Sequence, residues 1–106
     1  MARMALLSDL EIEEELQSLP GWARDGQAIR KQFTFASFPD AVAFLARLAF
    51  DAEQADHHPD VTVNYRRVTL VYSTHSEHGL TAKDVAGAAT AERVAGAGFA
   101  VRPQER

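Results

Sequence analysis

The stretch VTVNYRRVTLVYST, residues 61–74, decides the fold that the sequence predicts. Apolar and polar side chains alternate on both sides of the two central arginines, residues 66–67, and β-branched residues are frequent, as they are in strands. Two such runs separated by two residues predict an antiparallel β-hairpin in which Tyr65 lies opposite Val68. One face of this hairpin is apolar and the other is mostly polar, as a half-buried antiparallel sheet requires.

The histidines cluster around this hairpin. All four lie between positions 57 and 78, although the chain has 106 residues. When the register of the hairpin is extended towards its open end, His58 falls opposite His75, and opposed residues have Cβ atoms about 4.5–5.5 Å apart. Histidine both gives and takes a proton near neutral pH. The cluster therefore predicts proton chemistry or metal binding at this end of the hairpin.

The remaining elements follow outwards from the hairpin. A turn at residues 25–26 predicts a second, earlier hairpin, and Pro59 indicates that the helix before the main hairpin ends near Asp56 or His57. The predicted order is α-β-β-α-β-β-α, an α+β domain with an antiparallel sheet and helices on one face. Residues 1–106 are expected to form a single domain. Three helix starts are marked by Ser8 with Glu11, Ser37 before Pro39, and Thr81 with Asp84.

Composition excludes several classes of protein. The net charge is −4, which argues against a nucleic-acid-binding protein, because such proteins need a basic surface to neutralise phosphates. The chain has no cysteine, so disulfides, thiol nucleophiles and cysteine-based zinc sites are excluded. No segment approaches the roughly 20 apolar residues that span a bilayer, and the first ten residues do not resemble a signal peptide. We expect a cytoplasmic protein with no membrane partner.

The helix before His57 offers a carboxylate to that histidine. If the helix reaches His57, Glu53 lies four residues earlier on the same face. Glu53 would then orient the imidazole of His57.

Metal binding is the main alternative to proton chemistry. Two or three of the histidines with Glu53 or Asp56 could bind zinc or iron. Adjacent histidines normally point apart, however, and the recognised spacings of metal-binding histidines are absent. Proton chemistry is therefore the favoured interpretation.

Other polar and aromatic residues have simpler explanations. His78, next to Gly79, is interpreted as an incidental surface residue, and Trp22 as part of the core. Thr81 and Asp84 are each explained by the cap of the last helix.

Taken together, these residues resemble the pterin-4a-carbinolamine dehydratase family. The pattern Glu-x3-His-His-Pro-x5-Tyr-x9-His-x8-Asp runs from Glu53 to Asp84, and every position is filled. The resemblance also covers the dipeptide at residues 21–22 and the segment KQFTF at residues 31–35, and so extends over almost the entire chain.

The resemblance implies a fold, a reaction and a set of site residues. The fold is a four-stranded antiparallel sheet with three helices on one side, in dimers or tetramers. The reaction removes water from 4a-hydroxytetrahydropterin and gives quinonoid dihydropterin, without metal or cofactor. The implied catalytic residues are His57, His58, His75 and Glu53. The implied substrate-binding residues are Asp56, His57, His58, Pro59, Ser73, Thr74, His75, Ser76, Lys83 and Asp84.

The family also leaves the biological role open. Recycling of the pterin cofactor would make an aromatic amino acid hydroxylase a partner. Some members act instead in molybdenum-cofactor metabolism, and others serve as dimerisation cofactors of a transcriptional regulator.

Overall fold

The computed structural model describes residues 5–97. Three α-helices and four β-strands follow the predicted order, and a short 3-10 helix at His75–Glu77 was not predicted. The elements are α1 Asp9–Gln17, β1 Ala23–Asp25, β2 Ala28–Thr34, α2 Phe38–Ala55, β3 Asp60–Asn64, β4 Arg67–Tyr72 and α3 Ala82–Ala95.

The four strands form one antiparallel sheet in the order β1-β2-β4-β3. Each predicted hairpin is present, although the turn of the first lies at residues 26–27 and not at 25–26, because Asp25 pairs with Ala28. The two hairpins are joined by pairing of β2 with β4, from Ile29 opposite Tyr72 to Thr34 opposite Arg67. The predicted α+β architecture is therefore confirmed. β1 and β3 are the edge strands of the sheet. β3 follows α2 directly in the chain.

The core lies between one face of the sheet and the helices. Alternate residues of β2 and β4 are buried on that face, and the three helices contribute apolar side chains against them. This cluster includes Ile29, Phe33, Val68, Leu70 and Tyr72 from the strands, and Ile12, Phe44, Leu48, Ala88 and Ala91 from the helices.

The predicted helix starts are confirmed. Ser8 with Glu11 and Thr81 with Asp84 form complete capping boxes, in which each side chain bonds the backbone N–H of the other residue. Ser37 caps α2 by accepting a hydrogen bond from the backbone of Asp40 at 3.1 Å. These short-range bonds satisfy N–H groups that the first turn of a helix leaves without a partner.

The predicted turn of the second hairpin is wrong by one residue. Asn64 lies opposite Arg67 and Val63 opposite Val68, so the loop consists of residues 65–66. Tyr65 adopts a left-handed conformation with φ of 55°, which costs a non-glycine residue about 1–2 kcal/mol. The pairing with β2 offsets this cost, because it uses Arg67 as a strand residue.

The shift preserves the apolar face but removes the predicted pairing of histidines. Val61 and Val63 still lie on the same face as Val68, because the partner of each β3 residue changes by two positions and side chains alternate between the faces with a period of two. The ladder between β3 and β4 ends at Asp60 opposite Val71, and the observed register would continue with Ser73, not His75, opposite His58.

Candidate active site

A cleft with a volume of about 470 Å³ lies between the segment that joins α2 to β3 and the segment that joins β4 to α3. This volume is in the range of small-molecule sites. All of the predicted substrate-binding residues except Asp84 border the cleft. Its lining residues are Asp56, His57, His58, Pro59, Asp60, Ser73, Thr74, His75, Ser76 and Lys83.

His57 is held in place by Asp84. Its Nε2 lies 2.6 Å from Oδ1 of Asp84, and the two side chains are 12% and 0% exposed. The ring of His57 also stacks on Tyr72, with centroids 6.0 Å apart and planes inclined by 20°. The predicted pairing of His57 with Glu53 is wrong, because α2 ends at Ala55 and Asp56 turns the chain with a left-handed φ of 52°.

Asp84 connects the cap of α3 to the site. Its Oδ2 accepts hydrogen bonds from the backbone N–H of Thr81 at 2.9 Å and from the hydroxyl of Thr74 at 2.8 Å. Its Oδ1 is the atom that contacts His57. The capping role was predicted, but the contact with His57 joins residues 27 positions apart, and no local pattern reports it.

This arrangement selects one tautomer of His57. An ionised carboxylate only accepts hydrogen bonds, so Nε2 of His57 must carry the hydrogen that lies between it and Asp84. Nδ1 is then the nitrogen that can accept a proton from a substrate, or donate one when the imidazole is charged. A carboxylate that fixes a histidine in this way is a common element of acid–base sites.

His58 and Glu53 form a separate and more exposed pair. Nε2 of His58 lies 2.8 Å from Oε1 of Glu53, and the side chains are 55% and 82% exposed. Such a surface pair typically contributes about 0–1 kcal/mol. The residue that Glu53 contacts is therefore His58, and not His57.

His75 begins the 3-10 helix on the other side of the cleft. This short helix is closed by a backbone bond from His78 N–H to the carbonyl of His75 at 3.1 Å, with His78 in a left-handed conformation. His78 is exposed and does not border the cleft, whereas His75 does.

The ring of Tyr72 packs against the ring of His57, a contact that was not predicted from the sequence. Burial, and then the negative charges of Asp84 and Asp51, raise the pKa of Tyr72 to about 12. Tyr72 therefore keeps its proton at neutral pH and acts here through packing. A second cavity of about 100 Å³ lies between α2 and α3, and His57, Tyr72 and Lys83 border it.

Trp22 is buried in the core, as predicted. Its indole N–H donates a hydrogen bond to Glu92 at 2.9 Å, and its ring packs against Phe33 and Tyr72. Within residues 5–97, no three His, Asp or Glu side chains are grouped so that they could hold a metal ion. No helix in the same range is long and apolar enough to cross a bilayer.

The sequence model described as pterin 4 alpha carbinolamine dehydratase matches residues 5–94. The chain belongs to this family. A relative from Roseiflexus castenholzii is 56% identical over 80 residues, which are 76% of this chain and 86% of the relative. Another from Mycobacteroides abscessus is 49% identical over 87 residues, 82% of this chain and 93% of the relative. Both carry pterin-4-alpha-carbinolamine dehydratase as a provisional name.

Solved structures of pterin dehydratases share the fold. A transcriptional coactivator/pterin dehydratase from Brucella melitensis has a TM-score of 0.84 and 37% identity, and the match covers 87% of this chain and all (100%) of that chain. A pterin dehydratase-like protein identified as a RuBisCO assembly factor in the alpha-carboxysome has a TM-score of 0.60 and 23% identity, over 73% of this chain and 89% of that chain. The second likeness shows the fold alone.

Proposed function

We propose that this protein is a hydro-lyase that removes water from 4a-hydroxytetrahydropterin and releases quinonoid dihydropterin. The observation that carries this proposal is a single cleft bordered by His57, His58 and His75, in which His57 is oriented by a buried carboxylate. Membership of the pterin dehydratase family supports the substrate class.

The reaction needs one proton donated and one proton removed. The bond between C4a and its hydroxyl oxygen breaks once the oxygen is protonated, and the oxygen leaves as water. The lone pair of N5 forms the new double bond to C4a, and N5 then loses its proton. Positioned acid and base groups typically contribute about 10²–10⁴-fold to such steps.

The residues of the cleft suit these two proton transfers. His57 and His75 are the proposed proton donor and acceptor, one from each segment that borders the cleft. His58 positions the substrate or shares the proton transfer, and Glu53 orients the ring of His58. The proposed contacts of the pterin include Asp56, Pro59, Ser73, Ser76 and Lys83 on the walls of the cleft.

Replacement of His75 with alanine is expected to lower the dehydration rate at least tenfold, because one of the two proton-transfer groups is lost. The measurement is stopped-flow absorbance on chemically generated 4a-hydroxytetrahydropterin. His78→Ala is the matched control, since it changes a histidine of the same turn that does not border the cleft. Near-normal turnover of His75→Ala would remove His75 from the mechanism, and inhibition of the unmodified protein by a chelator would point to metal chemistry.

We propose pterin recycling after aromatic hydroxylation as the physiological role, with an aromatic amino acid hydroxylase as the partner. Addition of the protein to a hydroxylase reaction is expected to prevent accumulation of the 4a-hydroxy adduct. Activity confined to pterins of the molybdenum cofactor would instead favour that second pathway.

A non-enzymatic binding role is the second candidate. The Brucella melitensis relative is described as a transcriptional coactivator as well as a pterin dehydratase. In this chain, Phe38, Val42 and Phe50 of α2 are exposed, which is typical of a surface that contacts another protein. A strain that lacks the protein separates the two roles. Full complementation by a His57→Ala/His75→Ala double variant, which lacks both proposed proton-transfer groups, would favour binding, and failure would favour catalysis.

We also propose that the protein forms a homo-oligomer through β3. This edge strand contains no lysine or proline, the residues that commonly prevent edge pairing, and Val61 and Val63 are 39% and 40% exposed on its apolar face.

Val63→Lys is therefore expected to shift the protein towards single chains, because the charge would be buried at the interface. Light scattering after size-exclusion chromatography measures the mass directly. Gln17→Lys is the control, since it adds the same charge at an exposed position of α1, outside β3. An unchanged mass for Val63→Lys would place any interface elsewhere.

A further inference from the structure

We propose that Thr74 is a positioning residue for the dehydration, acting through Asp84 on His57 and at the same time fixing the turn that carries His75. This inference rests on the proposed function for its effect on rate. The buried threonine pair, Thr74 and Thr81, supplies the hydrogen bonds that hold Asp84 in the orientation His57 requires.

The directions of these hydrogen bonds are determined by counting protons. The backbone N–H of Lys83 donates to Oγ1 of Thr81 at 3.2 Å, and the two threonine hydroxyls lie 2.8 Å apart. The hydroxyl of Thr74 donates its one proton to Oδ2 of Asp84 at 2.8 Å. The proton between the two hydroxyls must therefore come from Thr81. Every donor in the series points towards Asp84, and hydrogen bonds aligned in this way strengthen one another.

Burial makes these bonds hard to replace. Thr74, Thr81 and Asp84 are all buried, and within residues 5–97 every buried side-chain nitrogen or oxygen has a hydrogen-bond partner. Loss of the Thr74 hydroxyl would leave Thr81 without its acceptor and Asp84 without one of its donors. Water has little access to substitute for the missing group, so Asp84 would turn or share its hydrogen bonds differently.

The backbone of Thr74 acts on the other side of the site. Its N–H donates to the carbonyl of Gly79 at 2.9 Å, and the N–H of Gly79 returns a bond to the carbonyl of Thr74 at 3.4 Å. These two bonds close the turn that begins with His75. One residue thus connects both proposed proton-transfer groups, His57 through its hydroxyl and His75 through its backbone.

Thr74 borders the cleft, but its hydroxyl proton is already used in the bond to Asp84. Its effect on the reaction therefore passes through Asp84 to the ring of His57. When the ionised carboxylate of Asp84 is fixed in this orientation, the hydrogen of neutral His57 stays on Nε2. Nδ1 is then free to act on the substrate. A less ordered carboxylate would allow the second tautomer, in which Nδ1 carries the hydrogen and cannot act as a base.

The test compares Thr74→Val, which keeps the shape and loses the hydroxyl, with Thr74→Ser, which keeps the hydroxyl. Thr74→Val is expected to lower kcat about 10- to 100-fold with KM within about twofold, because a misoriented group affects the transition state more than binding. Thr74→Ser is expected to retain kcat within about threefold. Equal losses in both variants, or a loss confined to KM, would overturn the proposal.

A second measurement does not depend on activity or on the folding of a variant. Nitrogen-15 NMR of histidine-labelled wild-type protein at about pH 8.5, where an unperturbed histidine is neutral, is expected to show the hydrogen of His57 on Nε2. A hydrogen on Nδ1 would overturn the proposal directly. If wild-type protein shows no dehydration, the proposed function fails, but a mixture of His57 tautomers in Thr74→Val beside a single tautomer in wild type would still support the role of the threonine pair in orienting His57.

Discussion

Asp84→Asn is expected to lower kcat for dehydration by about 10²–10⁴-fold, the usual contribution of a positioned acid–base group, because His57 would be held in the wrong tautomer. The amide cannot replace the carboxylate in either orientation. If its oxygen faces His57, its NH2 group meets the N–H of Thr81 and the hydroxyl proton of Thr74, and these donors oppose one another. If its NH2 group faces His57, Nε2 must become an acceptor and the hydrogen moves to Nδ1.

Single-turnover stopped-flow kinetics measure the loss, and nitrogen-15 NMR identifies the tautomer of His57 in the variant. Asp25→Asn is a suitable control, because it makes the same chemical change at an exposed end of β1, away from the cleft. A kcat for Asp84→Asn within about threefold of wild type would show that the buried carboxylate does not orient the reacting histidine.

The order of elements and the apolar face of the sheet were predictable because they depend on local patterns. Ser8, Ser37 and Thr81 each bond a backbone N–H two or three residues away, so a short window of sequence contains the whole interaction. The apolar face of β3 and β4 follows from the alternation of side chains alone. It was predicted correctly despite the error in the turn, because the pairing changed by two residues and so left each side chain on the same face.

The position of the turn could not be read from the hairpin that contains it. Arg67 is a strand residue because it pairs with Thr34 of β2, more than thirty positions earlier in the chain. The backbone N–H of Phe35 also donates to the carbonyl of Arg66 at 2.9 Å. The ladder with β2 therefore determines where β4 begins, and Tyr65 takes the left-handed turn conformation as a consequence.

The gathering of histidines was predicted for a partly wrong reason. Strand register suggested that His58 meets His75, whereas both border the cleft from segments that lie outside the ladder. Helix spacing suggested that Glu53 orients His57. The chain turns at Asp56 in a left-handed conformation, however, so that Glu53 contacts His58 and Asp84 contacts His57. The correct carboxylate depends on how α3 packs beside α2, which no spacing within one element can report. The roles of these residues in catalysis remain predictions.

Gly87→Ala is expected to destabilise the protein by up to about 2 kcal/mol, because overpacking a core usually costs about 1–3 kcal/mol and alanine gains about 1 kcal/mol over glycine in a helix. A Cβ at position 87 would lie 2.5 Å from Cε1 and 2.8 Å from Cζ of Tyr72. The ring of Tyr72 is buried and is packed by Trp22 on one side and His57 on another, so it cannot move away without disturbing the core or the site. This clash outweighs the gain of about 1 kcal/mol that alanine normally brings to a helix interior.

Thermal unfolding measures the effect, with each kcal/mol expected to lower Tm by about 4–8 °C in a domain of this size. Gly96→Ala is the matched control, because among residues 5–97 a Cβ there would meet only the carbonyl of Glu92 at 3.5 Å and that of Arg93 at 3.8 Å. Since Tyr72 supports the ring of His57, Gly87→Ala should also lower kcat at temperatures where the variant is fully folded. A variant as stable as wild type would mean that the ring of Tyr72 can move without cost. The position of His57 would then depend on its contact with Asp84 and not on Tyr72.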